Sequence, residues 1–255
     1  MHLAFGFLVG LCFGSFANVL IYRLPRNISL ISPRSFCTAC NGNIQFYDLL
    51  PVVSWVLLKG RCRSCHANIS SRYPLIELAC AFLFMGMILT VPGFSAIFMC
   101  LLAFILLAVS FIDADTQEIP DSLLGFATVL GVTLVVLGHF FPIFFQSPGF
   151  ISAGMGILIG GGCLLSIDRI TIALHKKDGF GYGDVKLMAV CGIFLGWPLI
   201  LVAFFFAFIS GGIYATYLLL TRRARRGEYI AFGPFLCAGM IAAIWIGQDF
   251  ISFIL

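Results

Sequence analysis

Charge is scarce in this sequence. Lys, Arg, Asp and Glu make up 10% of its 255 residues, and only 11 are acidic, whereas soluble domains carry about 25% charged residues. That scarcity excludes an ordinary soluble domain, and the 61% hydrophobic fraction and mean hydropathy of +1.07 agree. Low-complexity linkers and internal repeats are also missing. The apolar N-terminus has neither a basic n-region nor a small-residue cleavage site, so it reads as a membrane span and not as a signal peptide.

What fills the chain is long apolar runs, near 3–22, 74–91, 95–112, 122–141, 150–168, 185–197, 199–220 and 230–255. A transmembrane helix needs roughly 20 such residues, so an all-α polytopic protein with about eight spans is expected. The boundary at Trp197-Pro198 divides two of them. Gly6, Gly10 and Gly14, and again Gly156 and Gly160, recur four apart, the spacing that lets membrane helices touch closely.

The 15 basic residues fall in three clusters, 23–72, 169–186 and 222–226. With eight spans all three lie on one side, and cytoplasmic loops carry the Lys/Arg excess. This predicts cytosolic segments at 23–72, 113–121, 169–184 and 221–229, with both termini periplasmic. The net charge of +4 then describes topology, and no nucleic-acid partner is expected.

Residues 23–73 are the one sizeable polar segment. They contain Cys37-x-x-Cys40 and Cys62-x-x-Cys65 with 21 residues between the pairs, close to the spacing of a tetrahedral zinc site. Two disulfides are the other reading, but they rarely persist in a cytosolic segment. A metal would staple an insert too short to build a core, and four thiolates leave no position for a reacting water. The expected zinc is therefore structural. His66 adjoins the last cysteine, but the set is already full. Cys12, Cys80, Cys100, Cys163, Cys191 and Cys237 lie in apolar runs and are expected to act as small hydrophobes. The expected division is a first span at 1–22, a cytosolic zinc-knuckle domain at 23–73 and a helical bundle at 74–255.

Four acids, Asp113, Asp115, Glu118 and Asp121, crowd into "FIDADTQEIPD", and Asp184 stands in "GYGDVKL". Asp113 ends one span and Asp184 begins another, at the same membrane depth. Two facing carboxylates share a proton: one activates water while the other polarises a carbonyl. That is aspartic peptidase chemistry. Gly181 and Gly183 are expected to clear room for a substrate backbone. A helix N-cap is the plainer role for an acid at a helix start; it suits Asp184 in part and Asp121, after Pro120, better, and Asp168 and Asp178 are expected to be solvated.

Together, "FIDADTQEIPD" and "GYGDVKL" resemble the signature of the type IV prepilin peptidases, intramembrane aspartic proteases of the GxGD type. "GSFANVLIYRLP", the paired knuckles and "RYPLIEL" are similar to that family's bacterial, bifunctional branch. The resemblance runs from Gly14 to at least Leu187. It implies Asp113 and Asp184 as the catalytic pair, supported by Gly181, Gly183 and Lys186. It also implies cleavage of a short basic leader from prepilins or pseudopilins, after a glycine, at the cytosolic face of the bacterial inner membrane. A further implication is N-methylation of the new N-terminus with S-adenosylmethionine, linked to the N-terminal part, where Gly60 and Glu77 are candidates. No glycine-rich Rossmann fingerprint locates that cofactor. Asp115 and Glu118 are expected to dock the basic leader.

Two readings of other classes compete. Intramembrane acids can relay protons in a transporter, but these cluster at one interface instead of along a path. Alternatively, the knuckles bind a partner and the protein is a zinc-dependent scaffold.

Overall fold

The computed structural model describes residues 2–175, 180–222 and 230–254, so Lys176, Lys177, Asp178 and the arginines at 223, 225 and 226 lie outside the described residues. Among the described residues eight α-helices follow in order: α1 His2–Arg23, the short α2 Val53–Leu57, α3 Arg72–Thr90, α4 Ser95–Thr116, α5 Asp121–Phe140, α6 Phe150–His175, α7 Tyr182–Leu220 and α8 Gly233–Ile254. All but α2 are long and apolar enough to cross a membrane. Among the described residues the only extended pairings are two isolated bridges, Phe36 with Asn43 and Arg61 with Asn68. The chain divides into two compact units, Met1–Leu89 and Thr90–Leu255.

In the first unit α1 lies on α3 with the backbones nearly touching. A Cβ on Gly10 would come within 2.6 Å of the Ala81 Cα, and one on Gly14 within 2.5 Å of the Glu77 Cα. The four-residue glycine spacing is thus a packing stripe. Arg23, at the end of α1, is buried. Its guanidinium donates to the carbonyls of Ser29, Pro33 and Arg34, so this cation folds the following loop back on the helix.

In the second unit α4 is the most enclosed helix, because it is apolar on every side until Asp113. Helix α7 spans 39 residues, too long for one straight crossing. It breaks at Gly196, whose φ of 71° lies in the left-handed region, with Pro198 two residues on. Phe180, just before α7, has its ring 6.2 Å from that of Phe208. A straight helix would hold residues 28 positions apart about 42 Å from each other. The element is therefore a hairpin of two arms, and the expected division at Trp197-Pro198 stands. Counting the arms separately gives eight apolar helical segments among the described residues. Gly156 and Gly160 of α6 meet the first arm at Gly192 and Met188, and Gly239 of α8 meets the second at Ala203 and Ala207.

Candidate active site

Helix α4 runs to Thr116 and ends where Gln117 turns left-handed at φ 56°, its amide bonding back to the Asp113 carbonyl at 2.8 Å. The Glu-Ile-Pro that follows cannot prolong the helix, because Pro120 lacks an amide proton. Asp113 thus sits in the last turn of α4 and is only 5% exposed. Its Oδ2 accepts the Gly233 amide at 2.9 Å, at the first residue of α8. A Cβ on Gly233 would lie 2.6 Å from that oxygen, so only glycine fits. Asp113 therefore occupies the N-terminus of α8, where free amides and the helix dipole favour a carboxylate.

Asp184 lies in the first turn of α7, after Gly181 as N-cap, and is 8% exposed. Its Oδ1 is buried with no hydrogen-bond partner among the described residues. Asp113 and Asp184 line one open cleft of about 360 Å³, with Glu118, Asp121, Gly183 and Lys186 around them. Chain segments 71 residues apart thus bring both buried acids to one cavity. A buried polar atom is normally satisfied, and the orphan oxygen of Asp184 marks the place where a proton or a water belongs.

The two glycines before Asp184 do different things. A Cβ on Gly183 would come 3.1 Å from the Ile119 Cβ, so this glycine lets α7 start against the 117–120 turn. Gly181 has nothing nearer than the Asp184 Oδ2 at 3.7 Å, which leaves open space beside the carboxylate. Lys186 donates from Nζ to both Asp121 oxygens, at 2.7 and 3.0 Å. This corrects the expectation for Asp121. It opens α5, but the N-cap is Pro120 with no side-chain cap, and the Asp121 carboxylate pairs with Lys186 instead.

Asp168 is also corrected. It is 4% exposed, not solvated, and its Oδ1 accepts the Phe180 amide at 3.2 Å. It fixes the segment leading into Gly181-Tyr182-Gly183-Asp184. Sequence reasoning missed Gly233 and this role of Asp168. The available signals were the Gly-Pro pair opening the last span and an acid at the end of an otherwise apolar run.

In the first unit the four sulfurs of Cys37, Cys40, Cys62 and Cys65 all lie within 4.8 Å of one another, and all four cysteines are free. A tetrahedral ion with bonds of about 2.3 Å holds its sulfurs about 3.8 Å apart, and Cys37 and Cys65 are 3.9 Å apart. The donor set fits a soft metal ion. The two halves repeat each other at an offset of 25 residues, a repeat the sequence reading did not see. Asn41 and His66 both turn left-handed after the second cysteine, and their amides return to the carbonyls of Cys37 and Cys62. His66 is thus a turn residue. The amides of Cys40 and Ala39 bring the Cys37 thiol down to about 7. The Ala67 amide acts the same way on Cys65, but burial and the three facing thiols outweigh it and push Cys65 up to about 11.

Gly60 has φ +66°, and a Cβ there would stand 2.9 Å from the Trp55 ring. The buried Glu77 carboxylate accepts the Val52 amide at 2.7 Å. Glu77 thus holds Val52 at the head of α2, and Gly60, whose carbonyl accepts the Ile69 amide at 2.7 Å, packs on Trp55 at the base of the second cysteine hairpin, residues 60–69.

A helical protein with membrane-length spans, a cleft holding two buried aspartates and a four-thiol hairpin pair is the class that fold and site define. The family model for the bacterial peptidase A24 N-terminal domain matches residues 8–91, and that of the type IV leader peptidase family matches 100–216. The chain is 35% identical to a prepilin leader peptidase/N-methyltransferase of Aeromonas salmonicida strain A449, covering 96% of this chain and 91% of that protein. A protein of the same name from Pseudomonas aeruginosa is 35% identical over 94% and 89% of the two chains. One from Burkholderia pseudomallei strain K96243 is 33% identical over 98% and 87%. No solved structure matches. This chain belongs to the type IV leader peptidase family.

Proposed function

We propose that this protein removes the short basic leader of prepilins or pseudopilins with Asp113 and Asp184 as its catalytic pair. The observation that carries the reading is the buried, unpartnered Oδ1 of Asp184 in the cleft it shares with Asp113. A pair holding one proton can run both halves of peptide hydrolysis. The ionised carboxylate takes a proton from water as the water oxygen adds to the scissile carbonyl carbon. The protonated carboxylate gives its proton to the carbonyl oxygen. Collapse of the tetrahedral intermediate breaks the C–N bond, and the proton drawn from water passes to the departing amine. The Gly233 amide aims Asp113, Gly181 leaves space for substrate backbone, and Lys186 braces the cleft mouth through Asp121.

The same reading divides the chain into a first span at 1–22, a zinc-hairpin segment at 23–73 and a peptidase bundle at 74–255. It places the cleft and the hairpins at the cytosolic face of the bacterial inner membrane and both termini in the periplasm, on the strength of the Lys/Arg distribution. The metal is Zn²⁺, held by Cys37, Cys40, Cys62 and Cys65, and its work is to fold the hairpins. The relatives' names include an N-methyltransferase activity, and S-adenosylmethionine would supply the methyl group when bound. Gly60 and Glu77 serve that activity by positioning, since Glu77 anchors the start of α2 and Gly60 packs on Trp55 at the base of the second hairpin.

The test is co-expression with a prepilin and inspection of the leader-loss shift on a gel, followed by mass measurement of the new N-terminus. Asp113→Asn and Asp184→Asn should each abolish the shift. Normal processing by either variant rejects the pair.

A further inference from the structure

The insert between α1 and α3 is not uniformly polar. Its middle reads "FYDLLPVVSWVLL" at 46–58, and the structure leaves much of it uncovered. Phe46 is 82% exposed, Leu50 55%, Val53 52% and Leu57 76%. So much exposed apolar side chain in one short segment marks an interaction surface. The single acid within it, Asp48, is bound by Arg63 through two hydrogen bonds of 2.6 and 2.8 Å. That guanidinium holds the Asp48 carboxyl below its usual range, so the face carries no free negative charge.

The segment is mounted firmly. Trp55 turns inward, donates from Nε1 to the Ile69 carbonyl at 3.1 Å and packs on Gly60. Leu57 and Leu58 then form one wall of a cleft of about 470 Å³, and Lys59, Arg61, Arg63 and His66 form the rest with Cys62. An apolar wall thus runs directly into a cationic one. Lys59 and Arg61 have no ion pair among the described residues.

We propose that residues 46–58 lie in the membrane interface and that the adjoining cleft takes the headgroup of an anionic phospholipid. Charge complementarity selects that occupant: acyl chains meet Phe46, Leu50, Val53 and Leu57, while a phosphate meets Lys59 and Arg61. The insert is tethered at both ends to membrane-length helices, α1 and α3, which keeps it within reach of the bilayer. The outward faces of those helices are apolar as well, Leu75 being 61% exposed and Phe82 57%. The segment that joins the two cysteine pairs is thereby anchored at the lipid surface.

The experiment uses the full chain in nanodiscs of phosphatidylcholine alone or mixed with phosphatidylglycerol. A benzoylphenylalanine photo-crosslinker replaces Phe46 or Leu57, with Ser64, exposed on the hairpin tip, as the control position. Peptides carrying added lipid mass are expected at Phe46 and Leu57 and not at Ser64. At Leu57, phosphatidylglycerol should be taken preferentially. Lys59→Gln with Arg61→Gln should lower that preference at least fivefold, the weight of one surface cation. An unchanged elution profile shows that the variant has folded. Adducts to residues 90–255, to a second copy of the chain or to a prepilin overturn the proposal, as do equal labelling by both lipids and the absence of any adduct.

Discussion

The amide of Gly233 donates to Oδ2 of Asp113 over 2.9 Å, joining residues 120 positions apart at the meeting of two helix ends. The contact leaves no room for a Cβ, which would stand 2.6 Å from the carboxylate. Gly233→Ala should therefore displace Asp113 and lower kcat/KM for leader cleavage tenfold or more, about 1.4 kcal/mol in the transition state, while the chain still folds. Gly181→Ala meets nothing nearer than 3.7 Å but fills the space left for substrate backbone, so its loss should fall on KM, with kcat changed less than about threefold by the same scale. Equal losses of kcat in the two variants would show that the Gly233 contact does not position Asp113.

Asp168 acts one step further out. Its bond to the Phe180 amide fixes the chain just before Gly181 and Asp184. Removing the partner of this half-buried donor costs up to about 1–3 kcal/mol. Asp168→Ala should slow cleavage by roughly tenfold or more, whereas Asp168→Asn, which keeps an accepting oxygen, should recover most of the rate. Measured kcat against KM separates this from a substrate-binding role, because KM should move little.

Much of this was legible beforehand, for physical reasons. Asp113 and Asp184 stand out because a carboxylate at the edge of an apolar span is costly unless it has a use. The cysteine pairs stand out because thiolate spacing maps directly onto a tetrahedron. Helix lengths follow from membrane thickness, and the Trp197-Pro198 pair marks the fold-back in α7. What escaped was whatever depends on a partner distant in sequence. Nothing local to Asp121 says that Lys186 will take it in place of the α5 amides, and nothing local to Asp168 says that it will be buried. Phe46 to Leu58 were overlooked for another reason: their apolar character was averaged into a polar insert.

The Asp121–Lys186 pair is short, 2.7 Å, but its side chains remain 74% and 53% exposed. Exposed pairs contribute about 0–1 kcal/mol and weaken in salt. Lys186→Met should thus lower the thermal midpoint by no more than a few degrees, and the difference should shrink as ionic strength rises. A large loss of stability that persists in high salt would show that Lys186 does more than brace the cleft mouth.

Glu118 is exposed and lines the aspartate cleft, so it tests docking apart from chemistry. Glu118→Lys should raise KM for a basic leader by roughly fivefold, about 1 kcal/mol, the weight of one unit charge reversed about 8 Å from a cation at a dielectric of about 80, with kcat held. A leader whose lysines are replaced by glutamine should show no such change, and identical KM shifts for both leaders would remove Glu118 from recognition.

The four thiols predict a division between the two units. Purified protein should carry about one zinc per chain, and Cys37→Ser with Cys62→Ser should abolish it, because two sulfurs cannot complete a tetrahedron. Structural zinc is worth about 10–16 kcal/mol to a small metal domain, far more than the hairpins can draw from the Trp55 and Glu77 contacts. Loss of metal should therefore unfold the hairpins and expose 46–58 and 60–69 to protease. Asp113 and Asp184 belong to the other compact unit, and leader cleavage should survive at a measurable rate. Methylation of the product, read as a 14 Da mass increment at the new N-terminus, should disappear. Cleavage and methylation falling together would mean that the peptidase bundle depends on the hairpins for its own fold, and protease mapping of residues 90–255 would show it directly.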